Sequence, residues 1–249
     1  MALYGGLSVG PLLGGVVNDW FNIKVSFLSM GTFAFLGFLL CLLFLPPESR
    51  QAGKNAPVSK KTVPYLELMK IPSVFSLFAF RACFTICIAI TWTFIPFMAS
   101  TRFALSSSAI GVVVMLNVLV AGLLQVPMGY LADRVSKKFL VTAGGILGII
   151  AVLSLNKACS FGELALANGF LGLAGGISLP AVMALGVIEG RRSEAMGPMM
   201  GLLAMAHSLG MLVGPLLAGI LIDLFSFGAI FILGAVILGA GTILFLKTH

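Results

Sequence analysis

Eight apolar stretches follow one another along the chain, separated by polar breaks. They run approximately over 1–18, 25–45, 73–98, 108–132, 139–156, 164–189, 198–222 and 226–246. About 20 apolar residues carry a helix across the hydrocarbon of a bilayer. Strict period-two alternation, the mark of a barrel strand, is absent from these stretches, and a lone helix already satisfies its backbone groups in lipid. The predicted fold class is therefore all-α: a polytopic membrane bundle with eight transmembrane helices. The first stretch is short. One break is long and polar, residues 46–72, with Pro46, Pro47, Pro57 and Pro64, and it reads as a linker.

The apolar pattern also repeats. Gly6 to Gly15 reads G-L-S-V-G-P-L-L-G-G, and Gly210 to Gly219 reads G-M-L-V-G-P-L-L-A-G. The offset is 204 positions, and it continues outward to pair Asp19 with Asp223 and Phe21 with Phe225. Glycines three and four residues apart make a smooth helix face for close packing, and a proline inside the helix removes a donor and bends it. The offset maps the first helix onto the seventh and the second onto the eighth. The expected architecture is six helices plus six: residues 1–45 are the last two helices of an N-terminal half, 46–72 a cytoplasmic linker, and 73–249 a C-terminal six-helix half. On this reading four helices of the first half are missing.

Composition agrees with lipid as the solvent. The chain is 59% hydrophobic and 9% charged, where soluble domains carry roughly 25% charged residues. The net charge of +7 does not point to nucleic acid, because the bases sit in short loops between apolar runs. Alternate breaks hold eleven basic residues (Arg50, Lys54, Lys60, Lys61, Lys70, Arg134, Lys137, Lys138, Arg191, Arg192 and Lys247) against three, Lys24, Arg102 and Lys157. The richer side is expected in the cytoplasm together with both chain ends, in a bacterial inner membrane. No signal peptide is expected, because Met1 opens directly into an apolar segment. Cys83 and Cys87 share a helix face without a His or acid to complete a metal set, and read as packing residues. No metal and no cofactor are expected. A phosphate-cradling Gly-rich loop ending in Lys-Ser or Lys-Thr is absent, and so is any nucleophile–base pair, so the chain does not read as an enzyme.

Two motifs carry a resemblance that covers essentially the whole chain. Gly6, Gly10, Pro11, Gly14 and Gly15, echoed by Gly210, Gly214, Pro215 and Gly219, resemble the antiporter motif of proton-coupled drug-efflux members of the major facilitator superfamily. Gly129-Tyr-Leu-Ala-Asp133-Arg134-Val-Ser-Lys137-Lys138 is similar to that superfamily's cytoplasmic loop signature, with Ser136 in place of its second Gly and Lys137 in place of Arg. The resemblance aligns the chain to the last eight of twelve helices. It implies a gating and packing role for the glycine helix and an inward-face latch for the loop. Read without the family, the same residues are a generic small-residue packing face and a tight hairpin with positive-inside charge.

Polar residues inside the apolar stretches are the remaining candidates. Arg81 lies about eight residues into the third stretch, roughly 12 Å along a helix, where a charge normally meets a cavity or a partner. Thr85, Ile88 and Trp92 share its face. The alternative is Arg81 reaching back to the surface beside Lys70. Asn117 and Gln125 form a polar stripe on the fourth helix, read either as substrate contacts or as interhelical hydrogen bonds. These five, Arg81, Thr85, Trp92, Asn117 and Gln125, are the substrate-cavity candidates. The sixth helix carries Asn168, Gly172, Gly175, Gly176 and Pro180, suited to a gate or to a packing groove. His207 is the proton-coupling candidate, the other reading being a neutral His satisfied by a neighbour. Asp19 and Asp223 are expected to cap helix ends.

The function expected is secondary active transport: proton-coupled efflux of a small molecule by alternating access, with the lipid bilayer, the substrate and protons as partners. The alternatives are a non-transporting truncated membrane protein or scaffold, and an importer of sugars or organic acids. Missing N-terminal helices or a homo-oligomer partner are expected to complete the fragment.

Overall fold

Each predicted apolar stretch falls largely on one long helix. A computed structural model describes residues 2–45, 64–225 and 227–248. The linker bases Arg50, Lys54, Lys60 and Lys61 lie outside the described residues, as do Pro46, Pro47 and Pro57. The elements are α1 (Ala2–Trp20), α2 (Ile23–Phe44), α3 (Tyr65–Met69), α4 (Pro72–Phe103), α5 (Ser107–Arg134), α6 (Lys137–Lys157), α7 (Phe161–Arg192), α8 (Met196–Leu224) and α9 (Phe227–Thr248), and no strand occurs among the described residues. Seven of them, α2 and α4 to α9, are long and apolar enough to cross a membrane. The eighth, α1, has 19 residues, and its glycines with terminal Asn18 and Asp19 dilute its hydropathy below the others. The short α3 falls inside the stretch read as linker. Pro64 starts it and Leu68 anchors it, 1% exposed.

Side chains at the breaks start the helices. Asn22 accepts a hydrogen bond from the Val25 amide, Ser106 from Ala109, Ser136 from Phe139 and Ser160 from Glu163, each satisfying an amide that the first turn leaves without a partner. The Glu163 carboxylate reaches back to accept from the Cys159 amide at 2.7 Å, one residue before the cap, which ties the entering chain to the first turn. Ser136 explains why the loop motif tolerates the loss of its second glycine. Its φ of −55° needs no left-handed conformation, and its hydroxyl supplies the cap.

The bundle is held by close backbone approaches at glycine. A Cβ on Gly15 would fall 2.3 Å from the Ser107 carbonyl oxygen, one on Gly111 2.5 Å from that of Pro11, and one on Gly172 2.2 Å from that of Asn117. Those three contacts join α1 to α5 and α5 to α7. On the other side Gly144 meets Ala174 and Ser178, joining α6 to α7, while Gly210 and Gly214 meet α4. Lipid offers no hydrophobic drive for helices to associate, so van der Waals contact between close backbones takes over. The centre of α4 is a buried apolar column of Leu77, Phe80, Phe84 and Ile90, with Phe80 at 5.8 Å from Phe245 of α9 between ring centroids. Cys87 donates to the Gly234 carbonyl at 2.8 Å and Cys83 faces Gly241, as expected of packing residues. In contrast α2 buries no residue, and among the described residues it touches α1 alone.

Asp19 caps a helix, but not its own. Past the apolar run of α1, its carboxylate accepts from the Ser107 amide at 3.0 Å, the Ser108 amide at 2.7 Å and the Ser108 hydroxyl. These are bonds to the start of α5. Asn18 adds a donated bond to the Ser107 hydroxyl at 2.7 Å. The bonds from Ser108 foremost hold the Asp19 carboxyl down to about 2 from its ordinary 3.8. A lowered value means the carboxylate favours the packed form, fully above pH 3.8 and progressively less as pH falls towards 2. Asp19→Ala is therefore expected to speed hydrogen exchange at the Ser107 and Ser108 amides several-fold while leaving mid-helix amides of α5 unchanged. Unchanged exchange at both amides would remove this capping role.

Candidate functional site

The second copy of the glycine motif builds the site without belonging to it. Gly210 presses α8 onto α4 so closely that a Cβ there would lie 2.7 Å from the Thr85 side chain and 2.8 Å from the Ala82 carbonyl oxygen. His207 is three residues earlier on the same face. It is thereby brought to Arg81 and Thr85, more than 120 positions away in sequence. The first copy is used differently. Gly15 and Pro11 touch α5, while Gly6, Gly10 and Gly14 have nothing within 4 Å of where a Cβ would stand. Those three line an apolar groove of about 560 Å³ between α1 and α2.

At the Arg81 cluster two side chains converge on one ring nitrogen. Arg81 Nη2 lies 3.4 Å from His207 Nδ1, and Thr85 Oγ1 lies 3.3 Å from the same nitrogen. The Thr85 hydroxyl proton is already given to the Arg81 carbonyl at 2.8 Å, so towards His207 Thr85 presents an acceptor. A guanidinium only donates. One ring nitrogen cannot serve both neighbours: it takes Arg81 when it carries a lone pair and Thr85 when it carries a proton. Arg81 is the tenth residue of α4, roughly 13 Å from its start, and its head turns to α8 instead of back along the chain towards Lys70. Its Nε is buried without a partner.

The other candidates form a second polar chain. Trp92 donates from Nε1 to Asn117 Oδ1 at 3.4 Å, Asn117 donates from Nδ2 to the Asn168 carbonyl at 3.0 Å, and Asn168 donates from Nδ2 to the Val113 carbonyl at 2.7 Å. This chain ties α4, α5 and α7 together. Trp92 also lines a cleft of about 480 Å³ with Pro11, Asn18, Pro96 and Ile110. Gln125 donates to the Tyr4 hydroxyl at 3.0 Å, a bond from α5 to α1. The stripe expected of Asn117 and Gln125 thus divides: the same face of α5 meets α4 and α7 at one level and α1 at another. Tyr4 carried no signal in the sequence, being one ring in an apolar run.

The loop motif lies at the α5–α6 turn, away from both clusters. The Arg134 guanidinium sits 4.4 Å from the centre of the Tyr130 ring, a cation–π contact. Gly129 meets nothing within 4 Å. At the end of α7, Glu189 and Arg192 approach to 4.0 Å as an ion pair. No cluster of three or more His, Cys, Asp or Glu side chains suited to a metal occurs among them.

Known proteins similar to this chain point to its family. The chain is 24% identical over 239 residues to the multidrug resistance protein MdtG of Enterobacter lignolyticus, covering 93% of this chain and 56% of the relative. It is 26% identical over 241 residues to that of Dickeya zeae, covering 93% and 57%. The chain therefore spans little more than half the length of the curated relatives it matches. The family profile described as Major Facilitator Superfamily matches residues 1–109 and 77–249. With seven apolar helices of spanning length, the chain is an integral, multi-pass membrane protein and belongs to the Major Facilitator Superfamily.

Proposed function

We propose that this chain is part of a secondary transporter that exports small molecules in exchange for protons by alternating access, and that it is not an enzyme. The observation that carries the reading is the shared nitrogen of His207. Neutral His207 with a bare Nδ1 accepts Arg81; protonated His207 donates to Thr85 and repels Arg81. One proton thereby exchanges one interhelical contact for another between α4 and α8, and a coupled carrier needs such a two-state element. The curated relatives are multidrug resistance proteins, which supports export of a small organic molecule. Trp92 and its cleft, with Arg81, Thr85, Asn117 and Gln125 behind it, are proposed as this chain's wall of the substrate path.

The domain reading belongs to the same proposal. Residues 1–45 and 73–249 derive from two repeated halves joined through 46–72, with the basic breaks and both ends on the cytoplasmic side of a bacterial inner membrane. The asymmetry of the glycines supports it: Gly210 and Gly214 are covered by α4, whereas their counterparts Gly6 and Gly10 are open. That open face is suited to a further helix, from more of the protein or a second copy. The loop Gly129–Lys138 is proposed as the latch on the inward face.

Full-length protein in liposomes is expected to move substrate in response to a pH gradient. His207→Gln, which keeps an acceptor for Arg81 but cannot take a proton, is expected to reduce gradient-driven flux to the level seen without a gradient while leaving the folded yield unchanged. Flux indifferent to proton and ion gradients in the unmodified protein would end the antiport reading.

A further inference from the structure

We infer that Arg81 is the binding site for the anionic head of a small organic molecule. The inference rests on the transport reading of the same region and adds to it the chemical class of the ligand.

Charge accounting leads there. Among the described residues the acids are Asp19, Glu67, Asp133, Glu163, Glu189, Glu194 and Asp223, and each stands in a loop, in the short α3 or near a helix end. None of these forms an ion pair with Arg81, and Glu189 pairs with Arg192. Arg81 nevertheless sits deep in α4, half-buried. Its described polar contact is with an imidazole nitrogen at 3.4 Å, and its Nε–H is buried and unused. A guanidinium stays protonated, and an unneutralised charge at membrane depth is costly. A neutral imidazole does not neutralise it. The missing partner is an anion, and the planar fork with a free Nε–H suits a carboxylate or phosphoryl group held through two parallel bonds.

The surroundings add the rest of the ligand. From Arg81 the same face of α4 continues through Ile88 to Trp92, both half-buried, over eleven residues or roughly 16 Å. A flat indole beyond an apolar step fits an aromatic or aliphatic body behind the charged head. The ligand class is an organic anion with an apolar body.

The test is equilibrium binding to the full chain in lipid-supplemented detergent at neutral pH, without any gradient. The probes are benzoate, benzamide and benzylammonium, which share a ring and differ in charge. Benzoate is expected to bind at least tenfold more tightly than either of the others, and Arg81→Gln to abolish that preference. Arg81→Lys, which keeps the charge and loses the fork, is expected to retain the preference with several-fold weaker affinity, and it guards against a Gln variant that fails to fold. Equal binding of benzoate and benzamide, an unchanged preference in folded Arg81→Gln, or no benzoate binding because an acidic side chain already occupies the guanidinium each overturns the inference. Benzoate binding in a protein that shows no gradient-driven flux keeps this site and removes the transport reading. Gradient-driven flux of neutral or cationic compounds without benzoate binding does the reverse.

Discussion

Gly172→Val is expected to lower the unfolding temperature sharply. A Cβ at Gly172 would stand 2.2 Å from the Asn117 carbonyl oxygen, 2.9 Å from its carbonyl carbon and 3.0 Å from its Cα. All three are backbone atoms in the middle of α5, so no side-chain rotation relieves the clash and the two helices must separate. Overpacking of this kind costs about 1–3 kcal/mol and sometimes more, against a total stability on the order of 5–15 kcal/mol. Separation also breaks the bonds from Asn117 to the Asn168 carbonyl and from Asn168 to the Val113 carbonyl, which places the variant at the severe end. Gly169→Val is the matched control, because nothing lies within 4 Å of that position. Thermal unfolding in detergent is expected to show a large drop for position 172 and a small one for 169. Equal values for the two would mean that α5 and α7 do not approach as closely as described.

Asn117→Leu is the second large effect. Asn117 is 4% exposed, and its amide both donates to Asn168 and accepts from Trp92. Single interhelical hydrogen bonds in membranes average about 0.6 kcal/mol and reach about 1.7; losing two and burying the freed indole N–H places this variant at roughly 2 kcal/mol. The readouts are the unfolding temperature and the emission of Trp92 in a Trp20→Phe background, which leaves one tryptophan of the two in the chain. Trp92 stands beside an open cleft, and its emission is expected to shift to the red as the ring loses its anchor. A stable variant with unshifted emission would show that Asn117 ties nothing, and would return it to the role of a direct ligand contact.

These two positions show what kind of information a spacing carries. Asn117 and Gln125 lie on one face of α5 because eight residues are close to two helical turns, and that much is visible in the sequence. Their partners are not. Asn117 turns to Asn168 and Trp92 while Gln125 turns to Tyr4, because different helices cross α5 at the two levels. The same holds for the charged cluster. Arg81, Thr85 and Trp92 are one stripe by spacing alone, whereas the meeting of Arg81 with His207 depends on how α8 is rotated against α4. Asp19 was legible as a cap at a helix end, but the amides it satisfies belong to α5, 88 and 89 positions on.

By itself the sequence determined the apolar spans, their all-helical character and the 204-residue echo. Transfer of a segment from water to lipid is a sum over its own residues, and a helix satisfies its own backbone, so both properties are local. Only the tertiary structure decided which faces of the glycine helices are used. Gly15 is closed by Ser107 and Gly210 by Thr85, while Gly6 and Gly10 stay open, although the two motifs share seven of their ten residues. Close approach is a property of a pair of helices, set by the shape of both surfaces and by the rotation that lets their backbones touch. That pairing places His207 within reach of Arg81, and nothing local in either segment encodes it.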